Sequence, residues 1–467
     1  MSITCTFLVP HPPVSIKAIG KQQTQIINKT IEAYDKVARD IYDLKPETII
    51  IITPHSTIYS DYFHISGGDC ATGNFEAFGE KDITFKVNYD KELAETIGSI
   101  CATSNIQAGS LGNGMKELDH GTMVPLYHIN KYYKDFKIVR ISVSDYSIFT
   151  HYEFGKCISH ACENLNRKAV LLASGDLSHY LTKEGPYGYR TEGPIYDSMI
   201  LDMLKSTSFL DLFKFNHGFV TKAGTCAHKP VAVLCGALDG YNVTSEVYSY
   251  EGQLGVGYGV CKEQPDITKP FCPERTFDLI YKREISNELS LRKLNENPYV
   301  QLARVTVEEL ILNNRFLTLN EINTFVDEFM LNNTAGVFVS IKKNGDIRGC
   351  VGTICATTGC IAHEIVNNAI NACYNDPRFV PVSVDELPYL TYSIDVLEEP
   401  ELVESVTELD VARYGIIVTC NEKRGLLLPN LESIKTPYEQ VEVALKKAHI
   451  NFDEDYSIQR FEVTRYN

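Results

Sequence analysis

The chain has 467 residues, enough for two or three domains, and its 44% hydrophobic and 22% charged content is that of an ordinary soluble globular protein. Its formal charge is −16, and residues 264–467 carry 20 basic and 31 acidic side chains, a balance that repels phosphate backbones and disfavours nucleic acid as a partner. No run approaches the ~18 apolar residues of a membrane span, and Met1-Ser2-Ile3-Thr4 offers no basic region of a signal peptide, so the fourteen cysteines are expected as reduced thiols in the cytoplasm.

In chain order, Thr6–Val9 predicts the first strand. A helix is expected over Gln22–Asp43, where Ile26, Ile27, Thr30, Ile31, Tyr34, Val37, Ala38 and Ile41 recur at helical spacing until Lys45-Pro46-Glu47 stops it. Thr48–Ile52, Lys137–Val143 and Ala169–Ala173 are further strands. Apolar runs alternating with helical patterns predict an α/β domain over 1–262, a mostly parallel sheet sandwiched by helices. Residues 263–285 are expected as a linker, because 263–275 hold Pro265, Pro270 and Pro273 with little periodicity. Beyond it, an amphipathic helix over Tyr299–Asn313 and β-like runs at Gly336–Ile341 and Tyr392–Leu397 predict a smaller α+β domain over 286–467.

Three histidines follow strands: His11 after Thr6–Val9, His55 after Ile49–Ile52, and His179 after Val170–Ala173 by way of Ser174–Ser178. The carboxyl ends of parallel strands open onto one crevice, so these imidazoles are expected to converge, which suggests a metal. Ten of the twelve histidines precede residue 229, which assigns imidazole chemistry to the first domain. Two neutral imidazoles and one anionic ligand describe a facial ferrous site with open positions, and His11 and His55, each stiffened by flanking proline, are the two imidazole candidates. Asp176 either orients His179 or holds another polar group, or, with Ser178, caps a helix that follows.

Val9-Pro10-His11-Pro12-Pro13, Thr53-Pro54-His55, Asp119-His120-Gly121 with Val124-Pro125-Leu126, and Gly175-Asp176-Leu177-Ser178-His179-Tyr180 together resemble the class III extradiol ring-cleavage dioxygenase B-subunit superfamily, which also contains the Memo-like proteins. The resemblance implies Fe(II) held by His11 and His55, His179 as an acid/base near substrate oxygen, and His120 in contact with a small-molecule substrate of aromatic type. An imidazole can move a proton near neutral pH, which agrees for His179. Ring-cleaving members use a late glutamate as third ligand, whereas Gly224-Thr225-Cys226-Ala227-His228-Lys229-Pro230 is similar to the Memo-like branch and offers Cys226. A helix N-terminus lowers a thiol pKa, so Cys226 is expected as a thiolate, with a small buried hydrophobe as its other reading. Glu251 is the alternative third ligand and His228 a further one. A thiolate shifts preference toward Fe(II), Zn or Cu(I).

In the second domain Ile347-Arg348-Gly349-Cys350-Val351-Gly352-Thr353, Asp376-Pro377-Arg378-Phe379-Val380-Pro381 and Arg424-Gly425-Leu426-Leu427-Leu428-Pro429 resemble the AMMECR family. Arg348, Gly349 and Cys350 form either a close backbone approach with an arginine that grips a carboxylate or phosphate, or a tight bend whose arginine pairs with an internal acid. Chains joining both units in this order resemble the AmmeMemoRadiSam system protein A group, which implies a radical-SAM partner. Three functions follow as expectations: an oxygen-using Fe(II) oxidoreductase, a metal-binding or partner-binding module without ring cleavage, or a zinc-dependent hydrolase.

Overall fold

The computed structural model describes residues 2–111, 117–266, 268–269, 271–343, 345–431 and 434–467. The chain divides into two compact units, Met1–Arg283 and Glu284–Asn467. Among the described residues no helix is long and apolar enough to cross a membrane.

The first unit is built on a six-stranded sheet. Its strands are β1 (Ile3–Val9), β2 (Thr48–Thr53), β3 (Lys137–Ser142), β4 (Ala169–Ser174), β5 (Val243–Glu251) and β6 (Tyr258–Pro265), in the order β3-β2-β4-β1-β6-β5. The first four in that order run parallel, and β6 and β5 close the edge in antiparallel sense. Both faces are covered, which explains why β2 reads as an unbroken apolar run. Ile49 and Ile51 face one layer with Tyr34, Val37, Val124 and Leu126, while Ile50 and Ile52 face the other with Phe154, Ile158, Val231 and Leu234. The first layer contains α1 (Asn28–Leu44) and α2 (His120–Ile129); the second contains α3 (Ile148–Asn164), α4 (Glu192–Ser206) and α5 (His228–Ala237).

Two expectations change in detail. The helix expected from Gln22 starts as a 3-10 turn, Gln23–Ile27, before α1 begins. No helix follows Ser178 directly: residues 180–191 are turns and bridges, and α4 starts at Glu192. Asp176 and Ser178 therefore cap nothing there; their polar atoms hold other chain segments.

Much of the segment expected as a linker is ordered structure. Strand β6 runs through Pro265, Pro273–Arg275 is a 3-10 turn, and a helix covers Phe277–Lys293; Pro270 lies outside the described residues. The Arg275 Nε–H donates to Tyr241 O at 2.6 Å and the Phe277 N–H to Asp239 Oδ1 at 2.8 Å, so acceptors of the first unit fix this stretch.

The second unit is α+β. Helix α6 (Pro298–Asn313) starts with proline at its first position and the Asn297 side chain accepting from Tyr299 N–H. Strands β7 (Val337–Lys343), β8 (Asp346–Gly352), β9 (Leu390–Leu397) and β14 (Val463–Tyr466) form one antiparallel sheet in the order β8-β7-β9-β14. A second has the order β10-β13-β11-β12, from β10 (Glu401–Val403), β11 (Gly415–Cys420), β12 (Lys423–Leu427) and β13 (Ser457–Phe461). Helix α7 (Ile361–Ile370) packs with α6 on the first sheet's core, and α8 (Pro437–Ala448), opened by a Thr436–Glu439 capping box, covers the second.

Candidate metal centre

At the carboxyl ends of three parallel strands the same spacing recurs: His11 lies two residues beyond β1, His55 two beyond β2, and Asp176 two beyond β4. Cys226 arrives from the short turn between the helix His217–Ala223 and α5. Gly224 makes that turn with φ +61°, a left-handed conformation glycine adopts without strain. Gly175 lets it come close, since a Cβ there would stand 2.4 Å from Ala227 Cα.

These elements bring His11, His55 and Cys226 together, with one donor atom from each lying within 4.8 Å of the others. His11 Nε2 is 2.9 Å from His55 Nε2 and 3.5 Å from Cys226 Sγ. A nitrogen, nitrogen, sulfur donor set at such spacing can hold one transition-metal ion.

Each donor is held from behind. The Tyr34 hydroxyl donates to Pro10 O and the His11 N–H to Asp176 Oδ1 (2.8 Å). The His55 N–H donates to Thr53 Oγ1 (3.2 Å), whose own hydrogen goes to Asp119 Oδ1 (2.7 Å). The Cys226 sulfur accepts the Asp176 N–H at 3.1 Å, while Cys226 and Ala227 N–H groups donate to Asp176 O. Asp176 thus grips both the His11 and the Cys226 backbones.

The remaining predicted histidines surround this cluster differently. His120 is the first residue of α2, whose N-terminus is capped by Asp119 accepting from Thr122 N–H (3.0 Å) and Thr122 Oγ1–H (2.9 Å). Its ring lies 4.2 Å from that of His55 and 5.2 Å from that of His11, centroid to centroid. His179 donates its backbone N–H to Gly224 O and stacks on the exposed Tyr187 ring at 5.2 Å. His228 sits in the core with Nδ1 3.1 Å from the Tyr196 hydroxyl and is not in the cluster. Glu251, at the end of β5, is not in it either: its Oε2 accepts Thr30 N–H and Thr30 Oγ1–H. Sequence reasoning passed over Thr53 and the fully buried Arg140, which donates to Glu117 O (2.7 Å) and Ser66 Oγ (2.8 Å) and reaches Asp119 Oδ2 at 3.4 Å. The signal for Thr53 was its place in the Thr53-Pro54-His55 run; a lone arginine in a strand gave none.

Burial dominates the electrostatics. It pushes His11 and His55 down to about 3, with neighbouring imidazoles adding to the effect, so both are neutral and free to ligate. His120 and His179 are lowered by burial, opposed by nearby carboxylates. Asp176 is pushed up to about 6 by burial, against the His11 N–H that favours its charge. The thiol of Cys226 is raised well above its ordinary value, first by burial and then by Asp176. This corrects the expected thiolate: the partly buried cysteine precedes α5, and desolvation outweighs the helix terminus.

In the second unit the expected ligand grip is already engaged. Arg348 holds Glu386 through Nε to Oε1 (2.8 Å) and Nη2 to Oε2 (2.9 Å), which draws the Glu386 carboxyl down to about 2 against the cost of burial. Gly349 serves packing, since a Cβ would meet Ala372 O at 2.0 Å. The Cys350 N–H donates to Asp376 Oδ2 (2.9 Å) and its sulfur lies 3.3 Å from Ser340 Oγ. The internal-acid reading is the one these contacts support.

Residues 5–261 match the family model described as the catalytic LigB subunit of aromatic ring-opening dioxygenase, and residues 300–467 match that described as AMMECR1. A Clostridium acetobutylicum protein is 42% identical over 475 residues, covering 100% of this chain and 99% of that protein. A Thermotoga maritima protein is 42% identical over 175 residues, 37% of this chain and 99% of its own length. Among solved structures, an uncharacterized protein of Pyrococcus horikoshii aligns with 36% of this chain and 88% of its own at 27% identity and TM-score 0.32. One from Escherichia coli K12 aligns with 56% and 99% at 14% identity and TM-score 0.40.

Proposed function

The chain belongs to the family that joins a LigB/Memo-like domain to an AMMECR1 domain, the AmmeMemoRadiSam system protein A family, and from that membership we propose that its first unit is a metal-binding module lacking ring-cleavage activity. The observation that carries this reading is the convergence of His11, His55 and Cys226 donor atoms within 4.8 Å. Glu251, the carboxylate that would complete a ring-cleaving site, is engaged at the start of α1 instead. The donor set favours Fe(II), with Zn(II) or Cu(I) as alternatives, over hard cations. A bound ion would supply Lewis acidity and open coordination positions for a small ligand. Around it, His120 packs against the ligand histidines and orients what enters, Asp176 fixes the His11 and Cys226 backbones, and His179 accepts or returns a proton at its imidazole nitrogen. Family membership supports a radical-SAM protein as the partner of this module.

A second reading, an oxygen-using oxidoreductase, is favoured by one observation: His120 stands with its ring 4.2 Å from that of His55, and it and His179 are imidazoles lowered by burial, the kind of group ring-opening chemistry needs as acid/base. Loading the metal-free protein with Co(II) tests the module reading. Thiolate-to-cobalt absorption in the near ultraviolet is expected in wild type and lost in Cys226→Ser, and its absence from wild type would remove the cysteine from the site. Iron-dependent dioxygen uptake with catechols would turn the choice to the second reading.

A further inference from the structure

We propose that Ser174 sets the tautomer of His11 and thereby aims a lone pair at the metal position. Its purpose rests on the metal-binding reading; its geometry does not.

Ser174 is the last residue of β4 and is fully buried. Its Oγ lies 2.6 Å from Gly121 O and 3.0 Å from His11 Nδ1. A serine hydroxyl has one hydrogen, and a carbonyl oxygen can only accept. The hydrogen therefore goes to Gly121 O, and Oγ can meet His11 Nδ1 only as an acceptor. Nδ1 must carry hydrogen. An imidazole that ligates a metal is neutral and has a single ring N–H, and the His11 ring is 2% exposed with the His55 and His120 rings at 4.7 and 5.2 Å and Asp176 Oδ2 at 3.9 Å from its Nε2. That N–H is on Nδ1, and Nε2 is left as a bare lone pair.

Nε2 is the atom facing His55 Nε2 and Cys226 Sγ, both of which can donate to it in the metal-free protein. The opposite tautomer would put a hydrogen on the atom that has to bind the ion and leave Nδ1 and Ser174 Oγ as two facing acceptors. Outer partners of ligating histidines act in this way in general, fixing ring orientation and ligand basicity. Ser174 takes its own orientation from Gly121, the residue beside His120. One hydroxyl therefore links the ends of β1 and β4 with the N-terminus of α2. Only a hydroxyl that both donates and accepts can do this, which makes Ser174→Ala and Ser174→Thr discriminating replacements.

The test uses full-length metal-free protein labelled with nitrogen-15 at histidine. Long-range proton–nitrogen correlation spectra at neutral pH, assigned through His11→Gln, should show His11 as the Nδ1–H form in wild type and Ser174→Thr, with Nε2–H populated in Ser174→Ala. Zinc affinity, read by chelator competition, should fall about 10- to 100-fold in Ser174→Ala and recover in Ser174→Thr. A wild-type His11 in the Nε2–H form overturns the proposal, as does Ser174→Ala with an unchanged spectrum and zinc affinity. If Ser174→Ala does not fold, the wild-type and Ser174→Thr spectra decide alone. Wild type that shows Nδ1–H yet binds no zinc supports the tautomer assignment and contradicts the metal-binding reading.

Discussion

Glu251 Oε2 accepts both the backbone N–H of Thr30 (2.7 Å) and its hydroxyl (2.8 Å), so the carboxylate that sequence alone offered as a metal ligand is a helix-terminus acceptor. Thr30 is in the first turn of α1, where amide hydrogens lack helical partners and the helix dipole favours negative charge. Glu251→Gln keeps an acceptor but loses the charge. It should cost about 1–2 kcal/mol of stability in chemical denaturation and leave metal stoichiometry at the wild-type value. Loss of metal with unchanged stability would return Glu251 to the site.

Metal affinity should rise with pH through a single proton. Burial holds His11 and His55 neutral down to about 3, so neither releases a proton when metal binds above that range. Cys226 retains its proton well above the ordinary thiol range and must lose it to ligate. Zinc affinity should therefore gain about tenfold per pH unit between pH 6 and 8. Calorimetry in buffers of different ionisation enthalpy should count about one proton released; a count near zero or two contradicts the assignment.

Glu263 in β6 is fully buried, accepts from the Ser245 hydroxyl (2.8 Å), and has its carboxyl pushed from 4.5 up to about 9 by burial. The folded state then holds a proton that the unfolded chain releases near pH 4.5. Stability is therefore full below that pH and falls as pH rises toward about 9, by about 3 kcal/mol at pH 7. Glu263→Gln should melt higher than wild type at pH 8 and nearly level with it at pH 4.5. Equal melting temperatures at both values would remove this acid from the pH dependence.

Arg348 and Glu386 show the opposite sign. The Glu386 carboxyl is drawn from 4.5 to about 2, so its contribution is present above pH 4.5 and disappears as pH falls toward 2. Arg348→Ala leaves a carboxylate only 14% exposed with Lys343 at 3.1 Å and the Ser383 N–H at 3.0 Å among its remaining partners. A loss of about 3 kcal/mol is expected at pH 7, shrinking toward pH 2, with no change in metal content. A ligand-gripping arginine would instead be replaceable without loss of stability.

The parallel sheet was legible because strands buried on both faces leave apolar runs such as Ile49–Ile52, and proline-flanked histidines marked the strand ends. Cys226 was legible only through resemblance, since its approach depends on the Gly224 turn and the Gly175 contact, which join residues fifty positions apart in sequence. The order within 263–285 was not legible because Pro265 and Pro273 look like breakers, whereas Pro265 ends a strand paired with the edge and Pro273 opens a turn that acceptors of the first unit hold in place; the division between the two units falls inside that segment. The state of the thiol was misread because sequence displays a helix start and not the burial and the Asp176 carboxyl that raise the thiol before it. In the second unit Glu386, 38 residues from Arg348, had no pattern that announced the pair.

The most direct measurement is anaerobic Fe(II) titration of metal-free wild type, His55→Ala, Cys226→Ser and Glu251→Gln, with bound iron read from its nitric oxide adduct. One iron per chain in wild type and Glu251→Gln, with weak or absent binding in the other two, is the result this account predicts. Binding that needs Glu251, or that is indifferent to both His55 and Cys226, would contradict it.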